Sequence, residues 1–135
     1  MLVERGVKMK LNPDCMRDVL LEMEKVPFSE SLDIEPLCNS LPQYTYEDIV
    51  YSCCKLKEAN FIQAIIKSYD DELHVISLDD ITYSGHQFLA DIRSDTVWNH
   101  VKEVGKKVGS NSVSALTQIA TGVITAIIKQ QLGFN

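Results

Sequence analysis

Apolar positions recur at helical spacing along most of this chain, interrupted by one strand-friendly stretch near its middle. Met16, Val19, Leu20 and Met23 fall on one side of a helix that runs to about Lys25. Asn12-Pro13-Asp14 supplies its start: a side-chain cap, a proline whose missing N–H is not needed in the first turn, and an acid favoured by the helix dipole. Pro27 ends it, and its two methionines read as core packing rather than as a partner-binding surface. Residues 31–34 are expected to form a short strand, and residues 35–41 a second short helix closed by Pro42. Thr45-Tyr46-Glu47-Asp48 then opens a third helix with a threonine cap and an acid three residues on, close to a capping box. Ile49, Cys53 and Leu56 form its inward stripe, and Asn60 suits the left-handed turn that stops it.

A hairpin follows, with strands over residues 61–68 and 73–81 about a turn at Tyr69-Asp70-Asp71. Thr82 caps the next helix, in which Phe88, Leu89 and Ile92 face inward while Gln87, Asp91 and Arg93 face water. Gly85, in its first turn, leaves room for another backbone to come close, and His86 reads as a structural residue rather than a catalytic or metal-binding one. Asp95 is the expected cap of a fifth helix with Val97, Val101, Val104 and Val108 in its stripe and Trp98 beside it. Gly109-Ser110-Asn111 is the clearest break in the chain. Beyond it no charge occurs from Ser110 to Ile128, and Leu116, Ile119, Ala120, Val123, Ile124, Ile127 and Ile128 make a wide apolar face. A membrane span needs about 20 predominantly apolar residues, and Ser, Thr and Gln are too frequent here to meet that. The face is expected to dock on this protein or on a second copy, with membrane-surface contact and insertion as an oligomer as the other readings. Gly122 and Ala126 form a small-xxx-small pair that suits any close helix packing.

Size and charge narrow the classes. The 135 residues fit one compact domain over residues 1–94 and a helical extension over residues 95–135. Met9 is a second plausible start, which makes residues 1–8 an expected disordered extension. Thirteen basic against nineteen acidic residues give a net charge of -6, which opposes long-range attraction to phosphate backbones and anionic lipid, although a local patch can outweigh the mean. Cys15, Cys38, Cys53 and Cys54 are not spaced as Cys-x-x-Cys, and His74, His86 and His100 supply no pair at ligand spacing. Reduced thiols and a cytoplasmic location are expected, with no secretory signal run because Glu4 and Arg5 interrupt the only candidate. There is no phosphate-cradling glycine loop, Gly-x-Ser-x-Gly elbow or His-Glu-x-x-His. Asp70-Asp71-Glu72 and Asp79-Asp80 read as solvated acids rather than an acid and base pair. The expectation is a non-catalytic protein without metal or cofactor.

The run Ile49-x-x-x-Cys53-x-x-Leu56-x-x-Ala59-Asn60-Phe61-Ile62, followed by a hairpin, resembles the recognition helix and wing of prokaryotic winged-helix proteins, with Asn60 where those families usually carry glycine. That likeness covers about residues 10–93. More narrowly, Met9-Lys10-Leu11-Asn12-Pro13-Asp14-Cys15 and Ile81-Thr82-x-x-Gly85-His86-x-Phe88-Leu89-x-x-Ile92-Arg93 look like an uncharacterised family of small proteins from bacteria and their phages and prophages, a domain of unknown function. The fold expected is therefore α+β, mainly α: a winged helix-turn-helix domain with a β-hairpin wing, followed by C-terminal helices.

The winged-helix resemblance implies duplex DNA binding, with the third helix in the major groove and the wing near the backbone. The contact residues expected on that surface are Gln43, Tyr44, Tyr46, Asp48, Tyr51, Ser52, Lys55, Lys67 and Tyr69. Lys55, Lys57 and Lys67 there face six acids, Glu47, Asp48, Glu58, Asp70, Asp71 and Glu72, which is a poor start for phosphate neutralisation. The tyrosines instead suit contact with a protein. Three functional readings follow: a phage- or prophage-associated DNA-binding regulator or accessory protein, an acidic winged-helix protein-interaction module, and an assembling or membrane-active effector working through the charge-free tail. Self-association is expected through Leu116, Ala120, Val123, Ile124 and Ile127.

Overall fold

A computed structural model describes residues 10–133; the extension expected over residues 1–8 lies outside the described residues. The described chain is a mainly helical α+β protein: α1 (Pro13–Glu24), α2 (Ile34–Ser40), α3 (Tyr46–Glu58), an antiparallel hairpin of β1 (Ile62–Tyr69) and β2 (Glu72–Ile81), then α4 (Tyr83–Ile92), α5 (Asp95–Val108) and α6 (Val113–Gln131). Among the described residues no helix is long and apolar enough to cross a membrane.

Polar caps set the helix starts. Asn12 accepts from the Cys15 N–H at 3.2 Å, Thr45 from Asp48 at 3.1 Å, Thr82 from Gly85 at 3.0 Å and Ser112 from Ala115 at 3.1 Å. The cap of α5 is Ser94 rather than Asp95, because the Asp95 carboxylate instead meets the Arg17 guanidinium at 2.9 Å. The strand expected at residues 31–34 reduces to one bridge, in which Leu32 exchanges two 2.8 Å hydrogen bonds with Leu78, and α2 begins one residue early at Ile34. The hairpin closes through two residues, Asp70 and Asp71, with φ of 54° and 58°. Left-handed backbone at both positions matches the twist of paired strands, and a short acidic side chain tolerates it.

The inner sides of the helices and one side of the hairpin meet in a single apolar cluster that includes Met16, Leu20, Ile49, Leu56, Leu78 and Leu89. Trp98, Val101, Leu116 and Ala120 belong to the same cluster, so α5 and α6 share the core of the preceding helices. Trp98 is buried within the α5 stripe, while Val108, at its far end, is 62% exposed. The indole N–H of Trp98 donates to Asp14 at 2.8 Å, and Arg17 and Lys102 lie 5.8 and 5.7 Å from the ring. Arg17 also donates to the carbonyls of Ile92 at 3.0 Å and Arg93 at 2.6 Å, tying α1 to the end of α4.

Hairpin and α4 are joined at a tight corner. The Thr82 hydroxyl donates to the Asn60 carbonyl at 2.7 Å, its N–H donates to Phe61 O at 2.9 Å, and the Phe61 and Phe88 rings stack at 5.1 Å. Asn60 itself has φ of 63°, the left-handed stop expected for α3. A Cβ on Gly85 would stand 2.1 Å from Phe61 O, a distance no backbone tolerates, so the close approach expected at this glycine is present.

Gly85→Ala is expected to lower stability by at least about 3 kcal/mol, read from urea midpoints, because backbone rather than a flexible side chain must yield. Gly122, on α6, has nothing within 4 Å of an added Cβ, so Gly122→Ala should instead raise stability by about 1 kcal/mol through helix propensity.

A second expectation concerns acid. Burial pushes the Asp14 carboxyl up, but the Lys102 ammonium at 2.8 Å and the Trp98 N–H together outweigh it and hold the group below the usual carboxylate range. A folded-state value below the unfolded one gives stability that is fully present above the unfolded value and is lost as pH falls through the folded one. Asp14→Asn is therefore expected to cost about 1 kcal/mol at neutral pH, with the difference from the unsubstituted chain closing as pH drops below about 4.

Candidate functional site

Helix α3 turns Ile49, Val50, Cys53 and Leu56 inward. Its first two turns face the returning end of the hairpin because the two-residue turn sets Tyr69 opposite Glu72 and leads Leu73 and His74 straight back. Between them lies a groove of about 420 Å³. From α3 it is lined by Tyr46, Glu47, Asp48, Val50 and Tyr51, from the hairpin by Asp71, Glu72, Leu73 and His74, and at one end by Lys10. Tyr46 is 49% exposed and Leu73 47% exposed, so the walls present apolar surface to solvent while four carboxylates stand around them. The Tyr69 and His74 rings stack nearly parallel at 4.0 Å, bracing the hairpin end.

Glu47 and Asp48 occupy the first turn of α3, where the helix dipole favours them. Lys55 does not offset them. Its ammonium lies 3.0 and 3.2 Å from the Glu58 carboxylate oxygens, a hydrogen bond that raises its pKa, and 5.2 Å from the Tyr51 ring centre.

Of the contact residues expected from the sequence, Tyr46, Asp48 and Tyr51 line the groove, whereas Gln43, Lys55, Lys67 and Tyr69 are not in its lining. One correction arises. Ser52 is fully buried, not outward: it lies three residues after Ile49 and four before Leu56, inside the apolar stripe those residues define. Tyr44 is half-buried and donates its hydroxyl to Asp18 of α1; burial and this carboxylate push its pKa up, so it fastens the α2–α3 loop. Lys10, Glu47, Val50, Asp71, Glu72, Leu73 and His74 line the groove without being among the expected contacts. The Asp-Asp turn carried the signal for Leu73 and His74, since a two-residue turn fixes which residues return beside α3.

On the tail, Leu116 and Ala120 are buried in the chain's own core, which corrects their assignment to a surface shared with a second copy. Val123 and Ile124 are half-buried and Ile127 is 38% exposed. Val123 and Ile127, together with Val97, Val104 and Ile119, border a shallow apolar groove between α5 and α6, of about 520 Å³, in which Gly122 and Ala126 also take part and Ile124 does not.

All four thiols are free. Burial pushes Cys15 up to about 11 and raises Cys38, Cys53 and Cys54 as well, away from the thiolate form. Asp79 accepts from the Ser31 hydroxyl at 2.8 Å and Asp80 from the Ile81 N–H at 2.9 Å, so both have structural partners. Among the described residues no cluster of His, Cys, Asp or Glu could hold a metal ion.

The acid-rimmed apolar groove of this mainly helical α+β protein is its candidate site. The chain belongs to the protein family described as Hypothetical protein (DUF2513), whose model matches residues 10–111, from the groove's Lys10 into the loop between α5 and α6. It is also similar to an uncharacterized protein of Haemophilus influenzae, with 31% identity over 121 residues that cover 89% of this chain and 99% of that protein.

The buried Ser52 hydroxyl has no well-formed hydrogen bond among the described residues; its polar neighbour is the Cys15 thiol, a weak partner whose pKa it lowers against the larger effect of burial. Ser52→Ala should therefore leave thermal stability unchanged or raise it by up to about 1 kcal/mol, where a surface contact residue would show no such gain.

Proposed function

We propose that this chain is a non-catalytic winged-helix module that binds a protein partner through the groove between α3 and the hairpin. The order α1, α2, α3, hairpin supports the winged-helix reading, as does the Leu32–Leu78 bridge that lays the segment before α2 against β2. In that reading α3 is the recognition helix and β1–β2 the wing. The single observation that carries the choice of partner is the charge of the groove: Glu47, Asp48, Asp71 and Glu72 stand where a DNA backbone would have to approach. The free thiols accord with a reducing cytoplasm.

Duplex DNA is the second reading, with the chain as a phage- or prophage-associated regulator. The same helix and wing favour it, together with Lys57 and Lys67, both exposed on those elements. Fluorescence anisotropy of a labelled random-sequence duplex, at low and near-physiological salt, separates the two. No saturable binding at either salt is the expected result. Binding that weakens steeply with salt and falls with Lys57→Ala or Lys67→Ala would instead establish the DNA reading.

The tail supplies self-association in this proposal. The face around Val123 and Ile127 is free of charge, so the surface that matches it without burying an unpaired charge is another copy of itself. Sedimentation velocity over a concentration series should show a dimer that Ile127→Glu abolishes while the helical circular dichroism is retained. A concentration-independent monomer in the unsubstituted chain would refute it.

A further inference from the structure

We infer that the groove between α3 and the hairpin takes a cationic segment of another protein, one that presents an arginine or lysine beside an aliphatic side chain; this rests on the reading of the groove as protein-binding. Its four carboxylates come from two elements far apart in sequence, Glu47 and Asp48 from the start of α3, Asp71 and Glu72 from the hairpin turn. Folding brings these like charges together, which is unfavourable until a cation arrives.

Several acids elsewhere are paired within the chain, while others, Glu30, Asp33, Glu35 and Glu103 among them, have no ion pair among the described residues. Asp14 meets Lys102 at 2.8 Å, Glu24 meets Arg93 at 2.6 Å, Glu58 meets Lys55 at 3.0 Å and Asp95 meets Arg17 at 2.9 Å. Glu47, Asp48 and Asp71 have no ion-pair partner among the described residues, and Glu72 has only His74 at 3.9 Å. Lys10 and His74 are the groove's own basic groups, two against four acids.

The walls set the rest of the partner's chemistry. Leu73 offers exposed apolar surface for an aliphatic anchor, and the exposed Tyr46 ring offers a π face to a cation. A volume of about 420 Å³ falls toward the lower end of the ~300–1,000 Å³ typical of ligand pockets, which suits a few side chains of an extended segment.

The test is a nitrogen-15 NMR titration of the full chain with an acetylated, amidated peptide of sequence Gly-Arg-Leu-Lys-Leu-Arg-Gly, and with its counterpart carrying Glu at each basic position. The basic peptide is expected to move the amide signals of Glu47, Tyr51, Asp71 and Leu73 saturably. Its affinity should drop about tenfold when Glu47→Gln and Asp71→Asn are combined, two exposed positions whose replacements keep shape and, at residue 71, tolerance of the left-handed turn. The acidic peptide should move none of them. Signals that stay still with the basic peptide overturn the inference. Equal response to both peptides overturns the cationic preference while leaving the protein-binding reading intact. The same signals moving with a random-sequence duplex and not with peptide overturn both. Movement on simple concentration of the chain, without peptide, assigns the groove to a second copy and also overturns the inference.

Discussion

Helix α4 can begin where it does only because Gly85 has no side chain. The Phe61 carbonyl occupies the place a Cβ would take, and that carbonyl also accepts from the Thr82 N–H. Asn60, one residue earlier, stops α3 in the left-handed region and accepts from the Thr82 hydroxyl. Three elements are thereby fixed at one corner: the end of α3, the base of the hairpin and the start of α4. The groove depends on that corner, since the angle between α3 and the hairpin decides whether Asp71 and Glu72 stand across from Glu47 and Asp48 or away from them.

A second set of contacts joins the last helices to the first. Arg17 reaches two carbonyls at the end of α4 and the Asp95 carboxylate, and Arg93 pairs with Glu24 through two nitrogens at 2.8 and 2.6 Å. Exposed ion pairs of this kind contribute little each, on the order of 0.2–1 kcal/mol, so the burial of Trp98, Val101, Leu116 and Ala120 supplies more of the attachment. The polar contacts set direction. With its indole N–H on Asp14 and Arg17 and Lys102 both near its ring, Trp98 is held in one orientation, and the helix that carries it follows.

Most of the local structure was legible in the sequence because it rests on short-range chemistry. Asn12, Thr45 and Thr82 cap helices as their hydroxyl or amide groups allow, Asn60 takes the left-handed turn, Asp70 and Asp71 close the hairpin, and Gly85 admits a carbonyl. Errors arose where two local rules competed. Ser94 and Asp95 both make good caps, and the choice fell to Ser94 once Arg17, seventy-eight residues away, engaged Asp95. Ser52 is polar yet lies within the stripe of Ile49, Cys53 and Leu56, and helical spacing turns it inward against the usual preference of its side chain.

The sequence by itself determined the helices, the hairpin, the family signature and an acidic balance, since each is written in neighbouring residues or in a sum over them. Only the tertiary structure decided which acids share a groove, because the fold sets the start of α3 beside the hairpin turn and so puts Glu47 and Asp48 in one lining with Asp71 and Glu72. It likewise decided that Leu116 and Ala120 belong to this chain's core while Ile127 stays at the surface, for an apolar stripe shows which side of a helix seeks cover but not how far along its length a neighbour extends.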